Sequence, residues 1–146
     1  MIDKQLVDKK LRTIEQYLRE IREVNFSSFE NFRKDIIKKR FVERNIELAI
    51  EQMIDVCRHI VSALDLKEPD TYAECFATLA KENIIPEDNV VTFQKMVRYR
   101  NMLIHAYNGV DDSITYGIIT KNLGDFETFI SLIREYILHN PDTSKE

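Results

Sequence analysis

The sequence predicts an all-α protein, an antiparallel bundle of about five to six helices, and three observations carry that reading. Apolar residues recur at steps of three and four along nearly the whole chain, the spacing of one face of a helix. Glycine and proline are scarce, three of each in 146 residues, which excludes a loop-rich sandwich, a collagen-like chain or a flexible linker protein. No alternation of period two runs long enough to make a useful strand. At 44% apolar and 32% charged, the composition is that of a globular chain able to bury a core, and the length suits one domain.

The first helix is marked by Val7, Leu11, Ile14, Leu18 and Ile21, which step by four and three. Ser27 with Glu30 matches a capping box that opens a short second helix through about Ile37. The third is the longest, with Val42, Ile46, Ala49, Met53, Val56, Ile60 and Ala63 on one stripe. Glu68-Pro69-Asp70 breaks it, and Thr71 with Glu74 restarts a helix through about Glu82. Pro86 followed by Glu87 and Asp88 opens the next, which carries Phe93, Val97, Leu103 and Ile104 and stops at Asn108-Gly109. After Asp111-Asp112-Ser113 a helical pattern returns, weakened at Gly117 and Gly124, and ends before Asn140-Pro141. The expected organisation is one helical domain over residues 1–140 with a frayed tail at 141–146.

Several function classes fall away at this level. No apolar run approaches the roughly 18 residues of a membrane span, and the N-terminus is charged from its third residue, unlike a signal peptide. Cys57 and Cys75 fit neither CxxC nor Cys/His spacing, so no zinc site is expected and a reducing cytoplasm is the simple reading. A net charge of −4 argues against coating nucleic acid by bulk charge, though it leaves room for a local basic site; DNA is not an expected partner. No carboxylate cluster suggests a metal, and no glycine-rich loop suggests a bound cofactor. His59 reads as a packed or solvated residue and His139 as a cation at a frayed helix end. Lys38, Lys39, Arg40 and Arg44 read as a solvated helix junction or an RNA-backbone contact. Glu43, Glu47 and Glu51 form an acidic line at i, i+4 spacing, expected to be exposed or to face a partner protein.

One helix departs from the pattern. Its apolar stripe reads Phe93, Val97, position 100, Ile104, Tyr107, and position 100 is Arg100. A guanidinium cannot be neutralised and is costly to bury alone. Either the stripe faces a wet cleft, or a partner group meets Arg100, or the helix turns slightly and Arg100 snorkels outward. Arg98, Asn101 and His105 share a second line beside the first, so two arginines, an amide and an imidazole crowd one helix end. Imidazole moves protons near neutral pH and arginine grips phosphate through two donors. These are the parts that metal-independent RNA cleavage needs: a base for the 2′-hydroxyl, an acid for the leaving 5′-oxygen and a cation for the charged phosphorane.

The stretch from Arg100 through Asn101, Met102, Leu103, Ile104, His105 and Ala106 to Tyr107 reads R-N-x-x-x-H-x-Y. It resembles the R-x4-H-x-Y signature of HepT-type toxins within the HEPN superfamily of helical ribonucleases. Asn101 directly after the arginine suits the wider superfamily pattern. The following NGVDDSITYGII resembles that family's acidic turn and helix, and RFVERNIELAIEQMIDV is similar to its long helix. Arg98 also satisfies the superfamily's looser arginine-to-histidine spacing, so the pattern leaves open which arginine is the principal one.

The resemblance implies a HEPN-like helical bundle that is the toxin of a type VII-like toxin–antitoxin system, a metal-independent endoribonuclease without a cofactor. It implies Arg100 and His105 as catalytic residues, Arg98 and Asn101 as auxiliaries, and a homodimer in which two motifs form one composite cleft. It further implies an MntA-like nucleotidyltransferase antitoxin as partner, RNA as substrate, and Tyr107 as the residue that receives AMP. An alternative from a different class is a non-catalytic HEPN-type module that docks a nucleotidyltransferase or binds nucleotide; the intact Arg100/His105 pair favours the enzyme.

Overall fold

The computed structural model describes residues 1–105 and 109–140. Tyr107, the end of the signature, lies outside the described residues, as do Asn108 of the expected stop and the expected tail at 141–146. Seven α-helices occur among the described residues: α1 (Lys4–Glu23), α2 (Phe29–Lys34), α3 (Ile36–Ala63), α4 (Tyr72–Lys81), α5 (Val90–His105), α6 (Asp112–Gly117) and α7 (Gly124–His139). The bundle is all-α as expected. The helix number exceeds five to six because the last segment divides: beyond Gly117 the backbone widens into a π turn at Ile118–Asn122, and α7 starts afresh at Gly124.

Local chemistry explains most boundaries. Asp3 caps α1 by accepting from the Leu6 amide at 3.0 Å, and Thr71 caps α4 by accepting from the Glu74 amide at 3.1 Å. Glu74 returns the bond to the amide of Asp70 rather than to its cap. The cap of α2 is Ser28, one residue later than expected, because its hydroxyl meets the Asn31 amide at 3.1 Å while Ser27 holds the Asn31 side chain. That helix also stops earlier than expected. Asp35 leaves helical geometry and caps α3, accepting from the Lys38 amide at 3.1 Å. At the other end of α3, Asp65 takes a left-handed conformation (φ 56°) and the Leu66 amide reaches back to the Val61 carbonyl. A 3₁₀ turn, Glu87–Asn89, leads into α5 after Pro86.

Helix α3 is the axis of the fold, with α1, α4 and α5 packed on it. The α1 stripe Val7, Leu11, Ile14, Leu18 and Ile21 is buried throughout, as are Val42, Ile46, Ala49, Met53, Val56 and Ile60 of α3. Cross-links fix the antiparallel sense: the Met1 ammonium donates to the Ala63 carbonyl, the Asp3 amide to His59 Nε2 at 2.9 Å, and Lys10 to Asp55 at 3.3 Å. His59 is thus a tether between α1 and α3. Helix α7 runs back along α1, held by a bidentate Arg134–Glu15 pair at 2.7 and 3.0 Å. The hydrogen bond from Arg134 holds the Glu15 carboxyl below the usual carboxylate range. This pair therefore supports the fold above the ordinary glutamate pKa, and the support is lost as pH falls through the lowered value.

Phe76 of α4, Phe93 of α5 and Phe129 of α7 form a three-ring cluster with centroids 5.4 to 6.0 Å apart. It binds the site-bearing helix to two neighbours at once. Cys57 of α3 and Cys75 of α4 are buried and disulfide-paired, with Cα atoms 6.2 Å apart. Helix packing, invisible in a linear spacing of 18, brings the two sulfurs together. The basic junction is also less solvated than expected. Lys39 is buried and ion-paired with Asp112 at 3.2 Å, fastening α6 to α3, while Arg40 and Arg44 pair with Glu43 and Glu47. Glu43 is buried, so the acidic line is not the exposed row expected.

Candidate active site

The residues singled out by sequence gather on the last turns of α5. The first half of its stripe is core, since Val90, Phe93 and Val97 are buried. The stripe then leaves the core: Ile104 is 41% exposed and Arg100 is partly covered. Tyr99 takes over as the inward residue and bonds the buried Thr115 hydroxyl at 2.7 Å, joining α5 to α6. Burial pushes the Tyr99 phenol above its ordinary range, so it stays neutral and works as a hydrogen-bonding anchor.

Arg100 is met by partner groups rather than left to snorkel. Its side chain is 19% exposed, and Nη2 lies 3.5 Å from Glu51 Oε1 of α3. Its Cζ stands over the Tyr72 ring at 5.5 Å, and Nη1 donates to Asn101 Oδ1 at 3.2 Å. Nε is buried and has no hydrogen-bond partner among the described residues. Of the three alternatives for this arginine, partnering across the α3 interface is the one found.

Arg98, Asn101 and His105 are exposed, and His105 is the last residue of α5. Arg98 and His105 fall on nearly the same line, whereas Arg100 is turned from His105 by about 140°. Apart from the Arg100–Asn101 bond, no side-chain contact among the described residues ties these four groups together. Beside them, exposed Met102 and Ile114 share a groove of about 520 Å³ floored by Ile46, Ile50, Tyr99 and Phe126. No group of three or more His, Cys, Asp or Glu among the described residues is arranged to hold a metal. No helix among the described residues is long and apolar enough to cross a membrane.

Sequence reasoning missed two neighbours of Arg100. Glu51 was expected in an exposed row, and Tyr72 carried no signal beyond its place at the start of α4. Only an apolar stripe interrupted by a cation hinted that something opposite must answer the charge.

A helical bundle that ends one helix in arginines, an amide and an imidazole is the architecture of a HEPN-type ribonuclease, and comparison with known proteins agrees. The ribonuclease HepT-like family model matches residues 14–133. Shewanella oneidensis mRNA nuclease HepT is 28% identical over 129 residues, covering 88% of this chain and 96% of that one. Aphanizomenon flos-aquae tRNA nuclease HepT is 23% identical over 137 residues, covering 94% and 93%. Among solved structures, a toxin–antitoxin complex with AMP-PNP superposes with a TM-score of 0.83 at 27% identity, covering 90% of this chain and 98% of that one. The tri-AMPylated Shewanella oneidensis HEPN toxin, in complex with MNT antitoxin, superposes with a TM-score of 0.82 at 28% identity, covering 92% and 99%. The chain belongs to the ribonuclease HepT-like family. It is an RNA endonuclease of the toxin–antitoxin kind, as the motif at Arg100–Tyr107 led us to expect.

Proposed function

We propose that this ribonuclease cuts RNA without a metal, through Arg100 and His105 of two chains arranged around a two-fold axis, with Arg98 and Asn101 as auxiliaries. The observation that carries the reading is the clustering of these four groups at one end of α5 in a HepT-like fold. The angle of about 140° between Arg100 and His105 supports a second chain, because one protomer does not aim both side chains along one line. Exposed Met102, Ile104 and Ile114 beside the polar groups supply apolar surface for such a contact. In the composite cleft one neutral imidazole takes the proton of the RNA 2′-hydroxyl as that oxygen attacks phosphorus. The other, protonated, imidazole gives its proton to the departing 5′-oxygen as the P–O5′ bond breaks. A guanidinium carries the charge that builds on the phosphorane oxygens. Light scattering at micromolar concentration should give twice the chain mass, and cleavage should persist in excess chelator. A monomer mass, or activity abolished by EDTA, sinks the reading.

Control is proposed to run through an MntA-like nucleotidyltransferase antitoxin that transfers AMP to Tyr107, in the cytoplasm where its RNA substrate lies. The relatives support this: one solved HEPN toxin is tri-AMPylated and bound to MNT antitoxin. Tyr107 follows His105 by two residues in the sequence. A phosphate there repels RNA phosphate and the nucleoside fills space in the cleft. Tyr107→Phe should keep most of the cleavage activity and escape silencing. Intact mass after incubation with the transferase and ATP should rise by AMP for the wild type and not for the variant. Modification landing on another residue, or a Tyr107→Phe protein that catalysis still silences, refutes the assignment.

A further inference from the structure

Arg100 does not stand free. A long guanidinium on a helix surface has considerable rotamer freedom, and binding one phosphate in one geometry requires that freedom to be removed. Two side chains from other helices do this. Tyr72, the first residue of α4, places its ring centroid 5.5 Å from the Arg100 Cζ, within cation–π reach. Glu51 of α3 meets the same guanidinium, its Oε1 3.5 Å from Nη2. Tyr72 is half-exposed; Arg58 of α3 stands 5.6 Å from its ring centroid, and Cys75, three residues along α4, joins that helix to α3 through Cys57.

We infer that Tyr72 and Glu51 are positioning residues for RNA cleavage: the ring and the carboxylate hold the Arg100 guanidinium in place, and Nη1, which donates to Asn101 in the free protein, is the donor left to take the scissile phosphate. The inference rests on the reading of Arg100 as the phosphate ligand. It assigns to Glu51 a role opposite to that of a simple competitor for the cation. Removing a competing carboxylate would speed cleavage, whereas removing a positioning one slows the chemical step even though the site gains positive charge.

The test is single-turnover cleavage of RNA, paired with affinity for a non-cleavable 2′-O-methyl RNA and with melting temperature, on the dimeric protein. Tyr72→Leu and Glu51→Gln should each slow cleavage about tenfold. Affinity should stay within about threefold of wild type, or tighten for Glu51→Gln, since lost positioning acts on the chemical step while charge acts on binding. Tyr72→Phe should cleave normally, because the ring and not its hydroxyl supports the cation, and Glu51→Asp should recover part of the rate. In an Arg100→Ala background neither substitution should slow the residual cleavage further. Wild-type rates for both Tyr72→Leu and Glu51→Gln, faster cleavage by Glu51→Gln, or full additivity with Arg100→Ala overturns the inference while leaving Arg100 as the phosphate ligand. An Arg100→Ala protein that cleaves normally overturns both. Should Tyr72→Leu fail to fold, the two Glu51 variants decide the question alone.

Discussion

Alanine at His105 should lower RNA cleavage by about 10²-fold or more, and alanine at Arg100 should lower it comparably, with the oligomeric state unchanged. His105 is exposed at the last position of α5, so its truncation removes an imidazole without opening the core. A positioned proton-transfer group contributes roughly 10² to 10⁴ in rate, and the loss falls on the chemical step. Arg100 is costlier to the structure, because its removal leaves Glu51 without its ion-pair partner. Glu51 remains partly in contact with solvent, which limits that cost. Rates should therefore fall far more than melting temperature. Arg98, on the His105 line and exposed, is the control that decides between the arginines. A dead Arg98→Ala protein beside a mild Arg100→Ala protein reverses the assignment, and two alanine variants as active as wild type discard the mechanism.

Phe93→Ala has the largest expected effect on stability. Its ring is fully buried and lies 5.7 Å from Phe76 and 5.4 Å from Phe129, so truncation leaves a cavity lined by α4, α5 and α7. Deleting a buried phenyl ring costs about 3–5 kcal/mol, from lost transfer energy and the cavity left behind. For a chain of this size that lowers the melting temperature by roughly 10 °C or more. Phe93→Leu retains more of the volume and should recover much of the loss. Calorimetry on the three proteins checks the order, and an alanine variant within about 1 kcal/mol of wild type contradicts the three-ring account. Arg100 and His105 lie about two and three turns further along α5, so Phe93→Ala at low temperature should keep their chemistry while its thermal window narrows.

The sequence by itself determined the class of fold, because periodicity is a local property. The stripe on α1 is buried at each of its five positions, and the Thr71 cap and the Asn140 stop fall where side-chain chemistry puts them. The cap expected at Ser27 falls one residue early and α2 ends before Ile37, because the Ser28 hydroxyl takes the Asn31 amide and Asp35 leaves helical geometry to cap α3. Tertiary structure alone decided what answers the charge on Arg100. Glu51 and Tyr72 are 49 and 28 residues away along the chain, and no periodicity on α5 encodes what α3 and α4 place opposite it. The same holds for Lys39 with Asp112, for Tyr99 with Thr115 and for Cys57 with Cys75: each pair joins helices whose contact depends on the packing of the whole bundle. A helix records in its own sequence which side turns inward. Which residue meets it there is fixed only when the other helices close around it.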